Sequence, residues 1–168
     1  MSFPSLLSAT VLTVTTTFST SGSPQSPARP SCRECDQVVG RVLRLLPKSP
    51  EAIVVIDADR STPGLRQAIE NFEGFATEGE RTVYLRKQGP IFRRALQGAS
   101  IWDYALACTV WHEMAHIAGA DEREAQRREE QLLTQFVVAR KVDATWGLWY
   151  LQLLRKRHSE ETRTTGRP

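Results

Sequence analysis

Residues 112–116 carry the most informative chemistry in the chain, because they read His-Glu-Met-Ala-His. Side chains four residues apart lie on one face of an α-helix, so His112 and His116 can reach one ion. Neutral imidazole is a good zinc ligand. Glu113, one step round the helix, can take a proton from a water molecule whose pKa a zinc ion lowers. The motif therefore predicts a Zn²⁺ site with two histidine ligands and a glutamate general base.

A catalytic zinc ion also needs a third protein ligand and an open position. The remaining histidine, His158, lies in a basic C-terminal stretch, whereas acids directly follow the motif. Helical phase places Glu122 on the apolar face of the next helix, one turn before Ala125. Glu122 is therefore the predicted third ligand, ahead of Glu124 and then Asp121.

Several of these acids have simpler interpretations. Asp121 and Glu124 have the spacing of a capping pair at the start of a helix. Glu129 shares the apolar face of that helix but stands two turns beyond Glu122. We expect it to be too far from the ion, and to be a semi-buried acid paired with an arginine such as Arg128.

The helix that must position the motif has clear start and stop signals. Ser100 and Asp103 form a plausible capping box, with an aspartate in place of the usual glutamate. Apolar residues then recur at helical spacing up to Gly119, which can occupy the left-handed position just past the end. The motif is thus predicted to lie in the last turns of a long, largely buried helix.

The surrounding elements are predicted from apolar patterns and from proline and glycine. Gly74 and Gly79 indicate a loop between two of these elements. Together the elements indicate an α+β fold, with a few-stranded sheet and a helical C-terminal half. The predicted helices cover 34–46, 62–72, 91–96, 101–118, 121–141 and 146–156, with a frayed basic tail, and the strands cover 53–56 and 82–86.

The distribution of charge divides the chain into two parts. Residues 1–28 contain no charged side chain, and Arg29 is the first. We therefore interpret 1–30 as a leader or linker, either a signal peptide or a disordered tail, and 31–168 as the domain. The apolar stretch of the leader is too short and too rich in threonine to be a transmembrane segment. A signal peptide would imply a periplasmic or extracellular protein, and a tail would leave it cytoplasmic.

The three cysteines have different predicted roles. Cys32 and Cys35 form a Cys-x-x-Cys pair without a second pair, which disfavours a zinc ribbon. A local disulfide is expected if the protein is exported, and two free thiols otherwise. Cys108 lies in an apolar helical stretch and is expected to be a small core residue.

The segment from about Thr82 to Phe136 resembles the zincin metallopeptidases, and among them the glutamate-ligand zincins (gluzincins). In that family the glutamate ligand comes from a second helix packed on the first. The third ligand follows sooner here, which implies a compact helix–turn–helix site. The spacing of Gly119 and Glu122 also resembles the metzincin pattern, but metzincins have a downstream Met-turn and the last methionine here is Met114.

This resemblance implies a zinc-dependent metallopeptidase that hydrolyses peptide bonds, with Zn²⁺ on His112, His116 and Glu122 and with Glu113 as general base. It also implies that the strand Thr82–Arg86 is an edge strand, along which an extended peptide or protein substrate binds by strand addition. The oxyanion stabiliser is open among three tyrosines that are also packing candidates: Tyr84, Tyr104 and Tyr150.

Three further functional classes compete with this interpretation. The first is an inactive zinc-binding scaffold that binds a partner through exposed tryptophans, although residues at helical spacing more often pack in a core. The second is a phosphatase of the haloacid dehalogenase type, suggested by Asp57 and Asp59 after an apolar strand, but too few parallel strands are predicted. The third is a nucleic-acid module, which the net charge of only +3 and the interleaved acids disfavour. We therefore expect no nucleic-acid partner.

Overall fold

The computed structural model describes residues 32–165 apart from 78 and 99, with side chains described as far as Lys156. The predicted leader over 1–30 and the side chain of His158 lie outside this part. The helices are α1 (Arg33–Leu43), α2 (Pro63–Ile69), α3 (Pro90–Leu96), α4 (Ile101–Ile117), α5 (Glu122–Val138) and α6 (Ala144–Thr165), and the strands are β1 (Ala52–Ile56), β2 (Gly74–Ala76) and β3 (Thr82–Arg86). The predicted α+β class with a helical C-terminal half is confirmed.

The sheet contains a strand that the sequence pattern missed. Its order is β1-β3-β2, with β1 parallel and β2 antiparallel to β3. The segment around Gly74, predicted to be a loop, forms β2, and the ring of Phe75 stacks on that of Tyr84 at 5.0 Å. Three residues are too few to show the alternation by which strands are recognised.

The position of β3 contradicts the predicted substrate site. Thr82–Arg86 was expected to be an edge strand, but its residues pair with β1 on one side and with β2 on the other. Strand addition uses the free main-chain groups of an edge. The prediction that a peptide binds along Thr82–Arg86 is therefore wrong for this sheet.

The buried face of β3 packs against the helix that bears the motif. Val83 and Leu85 are fully buried in the core, and an added side-chain carbon at Gly74 would meet both Leu85 and Thr109 of α4. The sheet thus holds α4 closely along one side, and the glycine allows the close approach.

A buried ion pair and a cap fix the start of α4. The predicted capping box is confirmed. The Ser100 side chain bonds the backbone of Asp103, and the Asp103 side chain bonds the backbone of Ser100. Asp103 also accepts hydrogen bonds from Nε of Arg41 at 2.8 Å and from its Nη2 at 3.1 Å. Because Arg41 belongs to α1, the same carboxylate joins α1 to α4.

Helix α6 is longer than predicted, since it continues to Thr165 instead of fraying after residue 156. Three of the four tryptophans (Trp102, Trp111 and Trp146) are partly buried against the core, whereas Trp149 is 48% exposed. The tryptophans are thus mainly packing residues, as their helical spacing favoured.

The cysteines and the acids after β1 have structural roles. A disulfide joins Cys32 to Cys35 at the start of α1, and Cys108 is a fully buried core residue as predicted. Asp57 caps a 3₁₀ turn (Ala58–Arg60) and binds Lys87 and Gln88.

Within the described residues, no helix combines the length and the apolar character that crossing a bilayer requires.

Candidate metal centre

The site is built on the antiparallel pair of helices α4 and α5. The chain leaves α4 through Gly119, whose φ of +84° is the left-handed conformation predicted for it. Asp121 then caps α5 by accepting a hydrogen bond from the backbone N–H of Glu124 at 2.8 Å. Further along, the rings of Tyr104 and Phe136 meet at 5.0 Å, so the helices run back along each other.

Three side chains converge at the end of this pair: His112, His116 and Glu122. The two Nε2 atoms lie 3.1 Å apart. One carboxylate oxygen of Glu122 is 3.1 Å from Nε2 of His116, and the other is 3.5 Å from Nε2 of His112. The structure thus brings the two motif histidines together with the first of the three acids considered from the sequence.

The other nitrogen of each imidazole is turned away from this cluster, toward an oxygen of the protein. Nδ1 of His116 lies 3.0 Å from the carbonyl oxygen of Ala120. Nδ1 of His112 lies 3.2 Å from a carboxylate oxygen of Glu129. With a proton on each Nδ1, both Nε2 atoms present a lone pair to the same point as the Glu122 carboxylate.

Exposure rises in steps across the cluster. The side chain of His112 is 9% exposed, that of His116 is 30% exposed and that of Glu122 is 54% exposed. One side of the cluster is therefore set in the core and the other is open to solvent. A molecule arriving from solution can reach it on the Glu122 side.

Electrostatics couple the members of the cluster. Burial by itself lowers the pKa of His112, but contacts with Glu122 and Glu129 outweigh burial and raise this pKa from 6.5 to about 10. The contact with His112 lowers the pKa of Glu122 from 4.5 to about 2. Without an ion, His112 and Glu122 are thus a charged pair at neutral pH.

Glu113 lies beside this cluster and is half-buried. Burial raises its pKa, with the carboxylates of Glu129 and Glu122 acting in the same direction and the two histidines opposing it. A raised pKa brings a carboxyl group closer to the range in which it can both take and return a proton.

The other two acids considered as ligands are engaged elsewhere. Asp121 is used as the cap of α5. Glu124 forms ion pairs with Arg127 and, at 2.8 Å, with Arg128. Both therefore have the roles that a helix start and its solvent face give to acids.

The predicted burial and arginine partner of Glu129 were wrong, whereas its exclusion from the three converging side chains agrees with the structure. Glu129 is fully buried rather than semi-buried, its carboxylate contacts His112, and Arg128 pairs with Glu124 instead. Its helical phase had been assigned correctly from the sequence. The missed signal was the reversal of direction at Gly119, which sets the second turn of α5 beside an earlier turn of α4.

The spacing of the two Nε2 atoms and the Glu122 carboxylate suits a small divalent ion. Two atoms bound to one zinc ion at about 2.0–2.1 Å and at the tetrahedral angle lie about 3.3–3.4 Å apart. The two Nε2 atoms are 3.1 Å apart, and they lie 3.1 and 3.5 Å from the two different oxygens of Glu122, which are all distances close to that value. All the ligand atoms lie within 4.8 Å of one another. Two imidazoles and a carboxylate form a donor set that zinc accepts.

We compared the chain with protein-family models, with curated proteins and with solved structures, and none of these comparisons found a match.

Proposed function

We propose that this protein is a zinc-dependent metallopeptidase that hydrolyses peptide bonds. His112, His116 and Glu122 would hold the ion, and Glu113 would be the general base. The observation that carries the proposal is the convergence of two Nε2 atoms and a carboxylate at ligand spacing beside a half-buried glutamate. The gluzincin resemblance of the motif supports the same reaction class.

When bound, a zinc ion supplies Lewis acidity, which makes a water molecule acidic and polarises a carbonyl group. The residues of the chain supply the remaining functions. Glu113 accepts the proton of the attacking water and returns it to the leaving amine. The buried side of the cluster excludes solvent around His112, while the exposed side at Glu122 admits the substrate.

The presence of Glu113 next to His112 favours an enzyme over a purely structural metal site. A structural zinc site is closed by four protein ligands. Among the described residues three ligand side chains converge, and the carboxyl group of Glu113 stands beside them although it is not one of the three.

The first experiment separates metal binding from hydrolysis. Zinc content and zinc affinity are measured on the full chain, together with cleavage of a fluorogenic peptide library. We expect about one bound zinc ion and hydrolysis that Glu113→Gln lowers at least about 100-fold while zinc stays bound. Zinc binding without hydrolysis in any peptide pool would instead support the inactive scaffold. Equal hydrolysis by Glu113→Gln would refute the proposed base.

A matched pair of variants on α5 tests the third ligand. Glu122→Gln should weaken zinc binding strongly, because it removes a charged ligand. Glu124→Gln lies half a turn away, and its carboxylate pairs with Arg127 and Arg128, so zinc affinity should be unchanged. Equal zinc affinity in both variants would exclude Glu122 as a ligand.

A further inference from the structure

Glu129 is a fully buried acid that the proposed reaction does not use. It is fully buried in the interface between α5 and α4, where a carboxylate is retained only at a cost unless something compensates it. One of its oxygens lies 3.2 Å from Nδ1 of His112. The negative charge of Glu129 also helps to raise the pKa of the buried thiol of Cys108, which lies one turn before His112 on α4. Glu129 therefore lies directly behind the metal-facing imidazole.

We propose that Glu129 is a positioning residue for the metal centre: its carboxylate holds Nδ1–H of His112, which fixes the ring and keeps Nε2 directed at His116 and Glu122. This inference rests on the proposed function, since it assigns a role within the same site. Glu129 is not a ligand itself, because it contacts the imidazole nitrogen that faces away from the cluster.

The two histidines are held in chemically different ways. His116 has a backbone carbonyl behind it, that of Ala120, whereas His112 has a full negative charge. A carboxylate behind a ligating imidazole raises the basicity of the ring and fixes its tautomer. His112 is also the more buried of the two rings, so fewer water molecules can substitute for a lost partner. We therefore expect the site to depend more on Glu129 than on any other residue outside the ligand set.

The helical periodicity of α5 gives this arrangement a simple geometric basis. Glu122 and Glu129 are seven residues apart, which is about two helical turns, so both project from one face of α5. In the antiparallel pair, Glu122 meets the Nε2 atoms while Glu129 meets Nδ1 of His112. His112 is thus contacted by α5 on both of its ring nitrogens.

The test is zinc affinity, measured by competition with a chelator on the full chain and three variants. Glu129→Gln removes the charge, and Glu129→Leu removes the acceptor as well. Glu130→Gln is the control, because that neighbour accepts a hydrogen bond from Arg155 of α6 at 3.0 Å. We expect about 10- to 100-fold weaker zinc binding for the two Glu129 variants, with Leu the weaker binder, and less than about 2-fold change for the control.

A second readout separates positioning from a merely structural role. The unfolding of each metal-free variant is followed in urea, and the Nδ1–H proton of His112 is followed by NMR in the zinc-loaded protein. Positioning predicts a folded variant with weakened zinc binding and a changed Nδ1–H resonance. Unchanged zinc affinity and resonance in a folded Glu129→Gln would overturn the inference while leaving the proposed function intact. A wild-type chain that binds no zinc at His112 and His116 would overturn both.

Discussion

The carbonyl oxygen of Ala120 lies 3.0 Å from Nδ1 of His116, four residues earlier in the chain. This contact exists because the chain reverses at Gly119, whose left-handed backbone turns the next carbonyl back toward α4. The residue that ends the helix thus also helps to orient one of the two imidazoles. A change in this turn should therefore affect both stability and the cluster.

Gly119→Ala should destabilise the metal-free chain by about 1 kcal/mol, because an alanine is disfavoured at φ +84°. No atom lies within 4 Å of the added carbon, so the cost is conformational and not steric. Urea denaturation measures it. The control is Gly64→Ala, which is equally uncrowded but lies in helix α2, and which should be neutral or slightly stabilising. Equal effects at the two positions would contradict this account of the turn.

Zinc uptake should release a proton from His112 at neutral pH. The pKa of this side chain is about 10 in the metal-free fold, so Nε2 must lose its proton before it can bind an ion. Apparent zinc affinity should therefore rise about tenfold per pH unit between about pH 7 and 9 for each proton released. Calorimetric titration in two buffers of different ionisation enthalpy counts the protons. A pH-independent affinity with no proton release would contradict the charged His112–Glu122 pair.

The same pair predicts how stability of the metal-free chain varies with pH. The pKa of Glu122 is lowered from 4.5 to about 2, so its contribution is present above pH 4.5 and is lost as the pH falls toward 2. The pKa of His112 is raised from 6.5 to about 10, so its contribution is present below pH 6.5 and is lost as the pH rises toward 10. Both contributions are complete only between about pH 4.5 and 6.5.

The unfolding free energy should be measured from pH 3 to 10. The contribution of the His112–Glu122 pair to it should be largest in that window, and Glu122→Gln should flatten the pH profile. The side chain of Glu122 is 54% exposed, so solvent screens the effect and salt should reduce it. Glu124→Gln serves as the comparison on the same helical turn. A profile that Glu122→Gln leaves unchanged would count against the pairing.

Reduction of the Cys32–Cys35 disulfide should lower the free energy of unfolding by about 2 kcal/mol, because a bridge between residues three apart closes a short loop. Urea denaturation with and without reductant measures the loss. The Cys32→Ser/Cys35→Ser variant should not respond to reductant. Mass analysis after alkylation in denaturant should find one free thiol, at the buried Cys108, in the unreduced chain. Three alkylated cysteines before reduction would contradict the bridge.

Helix α4 and the motif could be predicted because each signal was local. The apolar spacing, the Ser100–Asp103 box and Gly119 lie within one continuous segment, and helical geometry then puts His112 and His116 on one face. The choice of Glu122 over its neighbours followed from phase alone. The structure places it in the cluster, whereas Asp121 and Glu124 have capping and surface roles.

The errors concern relationships between segments distant in sequence. Strand β2 is short and contains Gly74, and its pairing with β3 gives Thr82–Arg86 its central position. The predicted partner of Glu129 is a neighbour on its own helix, Arg128, whereas the structure sets its carboxylate against His112 of α4. Tertiary pairing, which no local pattern encodes, decided both cases.

The face of α5 that carries Glu122 and Glu129 also makes the site sensitive to sliding of one helix along the other. A shift of α5 by one turn, about 5.4 Å, would withdraw both carboxylates from His112 together while leaving each helix intact. The chemistry of the cluster would thus vanish through a rigid displacement, before any secondary structure melts. An ion bound there would cross-link the two helices, and its affinity would report how accurately they are aligned.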